Sequence, residues 1–338
     1  MNKITVEISP KTIIFTIGLI IGLIVAWKIR IILIALGISV ILMSGFAPLV
    51  DWLVKNKVNK TLAVAVTYLL AIGALGLLLF AIIPPLIEQT RLFVIHTPIL
   101  LGQLSDYLAV FGISSISTES VTQILSGRIN DILGNTLGLI LGVFTGFLTF
   151  VSIAVFSFYL LLEREKIKEN LFIFFPHLPK AETIRLAHGI ESKLGAWVRG
   201  EIILMSLVGF ATWVGLSLLR IEFALPLAVI AGLLEAIAVI GPILAAVPAI
   251  IVVLASGSGL LVVLGVVALY ILIQQVENYF LVPQIMKETV GLSPLVTILA
   301  LLIGGSLFGI VGAAISVPTA AALQVVIFHL RDGYIKSS

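Results

Sequence analysis

Cysteine is absent from the 338 residues, so disulfides, thiolate nucleophiles and Cys metal sites are excluded. Charge is scarce. Only 11% of the residues are Asp, Glu, Lys or Arg, against about 25% in a soluble domain. The net charge is +3 and no long basic run exists, which argues against nucleic acid as a partner. His96, His177, His188 and His329 lie outside or at the ends of apolar runs, and no two have ligand spacing, so neither metal nor cofactor is expected. Catalytic signatures are missing too: there is no HExxH, no GxSxG elbow and no phosphate-binding GxxxxGK[ST]. No catalytic residue is assigned, and active transport would have to draw on an ion gradient.

What is abundant is apolar sequence. Hydrophobic residues make up 60% and the mean hydropathy is +1.24. The polar residues are too few to cover a globule, so the chain reads as an all-α integral membrane protein and one polytopic domain over 1–338. The N-terminal apolar run, 12–27, is followed by Lys28-Ile29-Arg30 and no small-residue cleavage site, and reads as a retained first helix.

About eight hydrophobic segments follow from length: 13–27, 31–53, 61–83, 137–162, 201–219, 226–254, 260–281 and 294–330. The sixth and eighth are interrupted and are either spans or re-entrant hairpins. Between the third and fourth, 86–135 reads as an extracytoplasmic pair of amphipathic surface helices, with Val121, Ile124, Leu125, Ile129, Ile132 and Leu133 on one face. The charged segment 163–200 reads as a cytoplasmic amphipathic helix on the inner leaflet, with Ala187, Ile190, Leu194 and Trp197 as its apolar stripe. Gly138, Gly142 and Gly146 recur every fourth residue and predict close helix packing. With both termini inside, most of the 20 Lys and Arg fall on the cytoplasmic side of a cell (inner) membrane. Re-entrant hairpins give nearly the same bias, so charge does not separate the two topologies.

The candidate site lies in the two interrupted segments. Glu235 is an acid within apolar sequence, where a carboxylate costs about 2.5–3.5 kcal/mol to insert and is usually kept for a function. It suits a proton or cation acceptor; a carboxylate tying two helices together is the bland alternative. Gly241-Pro242 and Pro248 predict a helix break that exposes backbone polar groups at depth. Gln274, Glu277 and Asn278 share a helix face by i, i+3, i+4 spacing at the end of the seventh segment. Gly304, Gly305, Gly309, Gly312 and Pro318 punctuate the last segment as close packing or as a hairpin hinge. Residues 241–249 and 309–319 are faintly alike, and paired interrupted segments point to a transporter binding site.

Two blocks resemble the autoinducer-2 exporter family of permease-like membrane proteins: GLLEAIAVIGPILAAVPAI, 232–250, and ENYFLVPQIMKETVGLSPLVTILALLIGGSLFGIVGAAISVPTAA, 277–321. Glu235, Gly241, Pro242, Glu277, Asn278, Pro283, Gly291, Leu292, Pro294, Gly304, Gly305, Gly309, Gly312 and Pro318 match the family pattern. Ala238 stands where many members have proline, and Ser293 where many have histidine. The resemblance implies a secondary transporter, exporting autoinducer-2 or a similar small polar solute, or exchanging Na⁺ or Li⁺ for protons. It also implies a homo-oligomer, a pentamer, with elevator-like movement of the broken-helix region. A non-transporting membrane scaffold is the rival from another class.

Overall fold

The computed structural model describes residues 10–80, 83–84, 136–174, 179–237, 240–256, 258–286 and 291–336. The expected surface helices of 86–135 lie outside these residues, as do Ala238, His96 and His177. Every regular element among the described residues is helical.

Two helices open the chain, α1 (Pro10–Lys28) and α2 (Arg30–Lys55). The turn between them carries Trp27 with the Arg30 guanidinium over its ring, 4.6 Å from the centroid. An aromatic and a cation together are typical of a membrane–water interface. α2 runs through Pro48 without ending there. α3 (Lys60–Phe80) and α4 (Thr136–Leu162) pack on α2. Met43, Ala47 and Val50 of α2, Ala63, Val64 and Tyr68 of α3, and Ala154 and Leu161 of α4 form one buried cluster. Polar side chains tie these helices within their apolar surroundings. The Ser39 hydroxyl meets the Ile153 carbonyl at 3.1 Å, and the Tyr68 and Ser157 hydroxyls are hydrogen-bonded to each other. Outward faces stay apolar: Phe80 is 75% exposed. In water that would be an aggregation hazard; in hydrocarbon it is solvation. Gly142 and Gly146 are exposed, and a Cβ at either would meet nothing described within 4 Å. Their stripe therefore packs no described helix of this chain.

After a short helix α5 (Arg164–Asn170) and a 3₁₀ turn, Leu171–Phe174, comes α6 (Lys180–Leu218). The charged segment and the fifth apolar segment were expected as separate helices meeting near residue 200. Residues 180–200 of the charged segment and the fifth apolar segment instead form one unbroken 39-residue helix, about 58 Å long at 1.5 Å per residue. Its buried positions Leu186, Leu194, Val198, Leu204, Val208, Thr212 and Leu216 fall within a sector of about 120° at 3.6 residues per turn, so the core-facing stripe keeps to one side through both halves.

An ion network fastens the polar end of α6 to its neighbours. Arg164 reaches Asp51 of α2 at 3.1 Å, Glu165 at 3.1 Å and Glu191 of α6 at 3.3 Å. Lys168, nearly buried, sits 2.6 Å from Glu191 and 3.3 Å from His188 Nδ1. Burial alone would lower the pKa of the Arg164 guanidinium, but the charges of Glu191, Asp51 and Glu165 together outweigh it and hold that pKa above its ordinary value.

The remainder is built from two helical hairpins and a connecting helix. α7 (Ala224–Leu234) and α8 (Ile240–Ala255) are about 16 and 24 Å long, shorter than a hydrocarbon core of about 30 Å. They fold back on each other: Leu227 and Ala231 of α7 share a buried cluster with Ala245, Ala249, Val252 and Val253 of α8. α9 (Leu260–Val276) packs on the same cluster through Val266 and Tyr270 and continues into a π-helical turn, Glu277–Leu281, and α10 (Val282–Met286).

The last helix, α11 (Pro294–Lys336), has a break inside it. Phe308 (φ −136°, ψ 16°) and Gly309 (φ 61°, ψ −144°) are not helical. Gly309 lies in a region essentially closed to residues with a Cβ, which is why glycine occupies it. The chain reverses there. In a continuous helix residues 304 and 312 would be about 12 Å apart, yet a Cβ on Gly304 would collide with the Gly312 carbonyl and one on Gly312 with the Gly304 carbonyl. By length and composition alone α11 is, among the described residues, one of six helices able to cross a membrane. Its geometry makes it a hairpin with arms 294–307 and 310–336. Both interrupted segments are thus hairpins in shape. The second arm packs on the polar half of α6, with Val325 against Gly189 and with Ile315 and Ala322 against Leu194, Val198 and Ile41.

Two stability measurements test this packing. Gly304→Ala should destabilise the detergent-solubilised protein by about 1–3 kcal/mol, as overpacking does. Gly305→Ala, whose Cβ would find its nearest neighbour at 3.9 Å, should stay within about 0.5 kcal/mol of wild type. In the ion network, Glu191→Ala takes the nearest carboxylate from the buried Lys168 ammonium, leaving Glu165 at 3.7 Å, and should cost up to about 3–5 kcal/mol. Glu165→Ala, at a side chain 60% exposed, should cost no more than about 1 kcal/mol.

Candidate functional site

Glu235 is the first residue beyond α7, where the hairpin begins to turn. Its amide still donates to the Ala231 carbonyl (3.1 Å), so the helix ends without stranding that group. The reversal closes tightly: a Cβ on Gly241 would overlap the Leu234 carbonyl. Glycine is required there by proximity, and the two arms can meet only seven residues apart because of it. Pro242 was expected to break a helix. It instead sits in the first turn of α8, where an amide has no helical partner and a ring costs nothing. Pro248 lies inside α8, which runs on through it. The interruption therefore lies between Leu234 and Ile240, with Gly241 making it compact, and neither proline causes it.

The depth of Glu235 is set by a second close approach. Gly232, one turn earlier on α7, crosses α6 where a Cβ would lie 2.7 Å from the Met205 carbonyl and 3.3 Å from the Gly209 Cα. The α7 backbone is pressed directly on α6, and Glu235 is 4% exposed.

Glu277 comes to the same place from α9. It is 6% exposed and opens the π-helical turn. A π turn inserts an extra residue and rotates the helix beyond it, a device frequent at functional sites. Glu277 thereby faces inward, and its carboxyl comes beside that of Glu235. Gln274, one turn earlier, donates its amide Nε2–H to Glu277 Oε2 at 2.9 Å. Asn278, expected on the same face, is exposed and points elsewhere, because the changed helical pitch breaks the i, i+4 register with Gln274. Of the sequence-predicted polar set, Glu235, Gln274 and Glu277 come together and Asn278 does not join them. Gly304, Gly309 and Gly312 shape the tip of the other hairpin; Gly305 is half-buried nearby and Pro318 is buried in its second arm.

One member was missed. Glu201 on α6 is half-buried and feels the charge of both Glu235 and Glu277. Beside it, Gly200 lets α10 close in, with the Met286 sulfur 2.9 Å from where a Cβ would stand. The signal was present in the sequence: Glu201 is the last charge before 18 residues without one. Taken as the start of a span, it was read as a boundary. Among the described residues no three His, Cys, Asp or Glu side chains converge as a metal site, which fits Glu201 standing apart from the touching pair.

A carboxylate only accepts hydrogen bonds, so two neighbouring carboxyl groups can bond to each other only by sharing a proton. Glu235 Oε2 is buried with no partner. The arrangement can bind a proton, and a cation or a solute's donor group can take that proton's place. An apolar cavity of about 400 Å³ lies between α3, α6 and α7. Leu78, Ile202, Phe210, Trp213 and Leu233 line it, but neither carboxyl does.

Residues 13–332 match the model of the AI-2E family transporter. Among similar curated proteins, "Putative permease PerM" of Escherichia coli (strain K12) is 28% identical over 287 residues, 82% of this chain and 81% of the relative. "Putative transport protein YrrI" of Bacillus subtilis (strain 168) is 26% identical over 320 residues, 89% and 87% of the two chains. "Putative transport protein YhhT" of Escherichia coli (strain K12) is 27% identical over 283 residues, 82% and 79%.

The α6–α7 crossing makes a prediction of its own. Gly232→Ala should force α7 off α6 and destabilise the protein by about 1–3 kcal/mol. Gly265→Ala, whose Cβ would sit 3.6 Å from Leu219, should be tolerated in the same thermal-unfolding assay.

Proposed function

With the chain placed in the AI-2E transporter family, to which it belongs over nearly its whole length, we propose that it is a secondary transporter of a small polar solute, coupled to protons at Glu235 and Glu277. The observation that carries this reading is the pair of buried carboxyls brought together at the hairpin turn, with Glu235 Oε2 unpartnered. Such a pair cannot exchange its shared proton for a solute or cation without changing its own geometry. That links occupancy to the conformation of the α7–α8 hairpin, and coupling requires that link. The solute class is a small polar metabolite like autoinducer-2, moved outward. The protein sits in the cell (inner) membrane with its N-terminus cytoplasmic, and it works as a homo-oligomer, a pentamer on the family resemblance. The hairpins α7–α8 and α11 form the moving, re-entrant part. The 86–135 segment is extracytoplasmic, and the polar half of α6 faces the cytoplasm. No catalytic step is assigned to any residue.

A second reading is exchange of Na⁺ or Li⁺ for protons. It is favoured by the donor set itself: two carboxyls and a Gln274 amide oxygen are oxygen ligands suited to a hard cation.

Proteoliposomes under an imposed proton gradient test both. Glu235→Gln and Glu277→Gln should each reduce gradient-driven solute flux to that of protein-free vesicles, while Asn278→Ala transports as wild type. If Glu235→Gln transports normally, the coupling role is wrong. Dye-quench assays with sodium or lithium in place of the solute panel separate the two substrates.

A further inference from the structure

Two buried hydroxyls beyond the carboxyl pair have no function in the account above. Tyr270 on α9 is 9% exposed and Thr212 on α6 is fully buried, and neither hydroxyl has a hydrogen-bond partner. A buried hydroxyl left unpaired is costly, and internal water is the usual remedy where several polar groups converge.

Their placement is set by the packing of α6 against α9. Gly265 lies by Leu219, and a Cβ on Gly215 would strike the Leu269 side chain; further along, Gly200 lies by Met286. These three contacts run α6 and α9–α10 antiparallel. In that register Thr212 and Tyr270 stand within about one turn of each other along the axis. Both are displaced from the carboxyl groups in the same direction, toward the Leu219–Gly265 end. On α9 the polar residues form a line: Tyr270, Gln274 and Glu277 are spaced i, i+4, i+7 and share one face. Gln274 is already bonded to Glu277 and leaves its amide oxygen to accept from the other side. Tyr270 is two turns, about 10 Å, from Glu277, too far for a direct bond and a length that a few waters span. Around this line the walls are Leu216, Leu227, Ala231 and Val266, all apolar, so these groups are the places where water could be held.

We infer that the Tyr270 and Thr212 hydroxyls, with Gln274, hold a file of internal water that joins the Glu235–Glu277 pair to the Leu219–Gly265 end of the α6–α9 interface. The file is a path for protons: each water and hydroxyl both donates and accepts, so a proton entering at the far end is passed on while another leaves for the carboxyl pair. It gives the pair a proton route separate from the hairpin turn through which a solute would pass. This inference rests on the proposed role of the pair as the coupling site.

Two measurements on the full-length protein in lipid vesicles test it. The first is hydroxyl-radical labelling, which modifies buried side chains that touch bound water. Tyr270 should be labelled in wild type despite its burial and should lose that labelling in Thr212→Val; an unlabelled Tyr270 overturns the file whatever the carboxyl groups do. The second tracks, by infrared spectroscopy, the carboxyl C=O band that Glu235→Gln or Glu277→Gln removes. After transfer to D₂O, the band should shift at least about tenfold more slowly in the Tyr270→Phe/Thr212→Val double variant, the worth of one lost hydrogen-bonded relay. Its amplitude should be unchanged, since both substitutions keep side-chain volume. An equal exchange rate overturns the path. A spectrum in which neither glutamine variant removes a band overturns the shared-proton pair instead, and the labelling result then decides the file alone.

Discussion

Contact between backbones, without side chains between them, is the constraint on which this structure depends. At Gly241 the carbonyl of Leu234 occupies the space a Cβ would need. At Gly232 the Met205 carbonyl does the same, and at Gly304 and Gly312 two carbonyls face across a turn. In hydrocarbon there is little hydrophobic reward for bringing helices together, so association rests on close packing and on polar groups finding one another. Reverse turns at depth add a further demand, because the freed backbone groups must be sheltered by protein. Small residues at the reversal meet both demands. They let arms too short to cross lie flush, and they keep the turn inside the molecule.

The carboxyl pair is a product of that geometry. Glu235 is held by a turn and Glu277 by a change of helical pitch, so each sits where a regular helix is interrupted. Neither belongs to the most regular element, α6, which supplies the surface on which both are pressed. The ion network around Arg164 and Lys168 anchors the polar end of α6 to α2 and α5, and the second arm of α11 packs along the same half. A long rod fixed at one end thus carries Glu201, the Gly232 crossing and Thr212 along its length. Anchor and site are connected by one continuous hydrogen-bonded helix.

The fold class was legible in the sequence, and Glu235 and Glu277 stood out in it, because each is a contrast. Apolar runs stand against short charged links, and Glu235 and Glu277 stand against apolar neighbours. Hairpin shape was legible only as one of two readings, since an 11-residue helix, a turn and a 16-residue helix have the composition of a kinked span. What decides between them is contact between residues 234 and 241, or 304 and 312, and a periodicity cannot express it. Asn278 went astray for a related reason: spacing rules assume about 3.6 residues per turn, and the π turn does not keep to that. Glu201 was overlooked because a charge at the start of an apolar run looks like the edge of a span. The continuity of α6 erased that edge and left the carboxylate inside the molecule.

The shortness of α7 and α8 bears on how the chain comes to be in the membrane at all. A segment that can cross the bilayer leaves the insertion machinery on its own merits, one helix at a time. An 11-residue arm cannot, and its partner is no better equipped. The pair has to be delivered as a unit, closed at its turn, onto a surface that is already there. That surface is α6, which is synthesised just before it and is long enough to span. The order of elements along the polypeptide is therefore also an order of assembly. The α7–α8 hairpin can seat only against an α6 that leaves Gly209 open to Gly232.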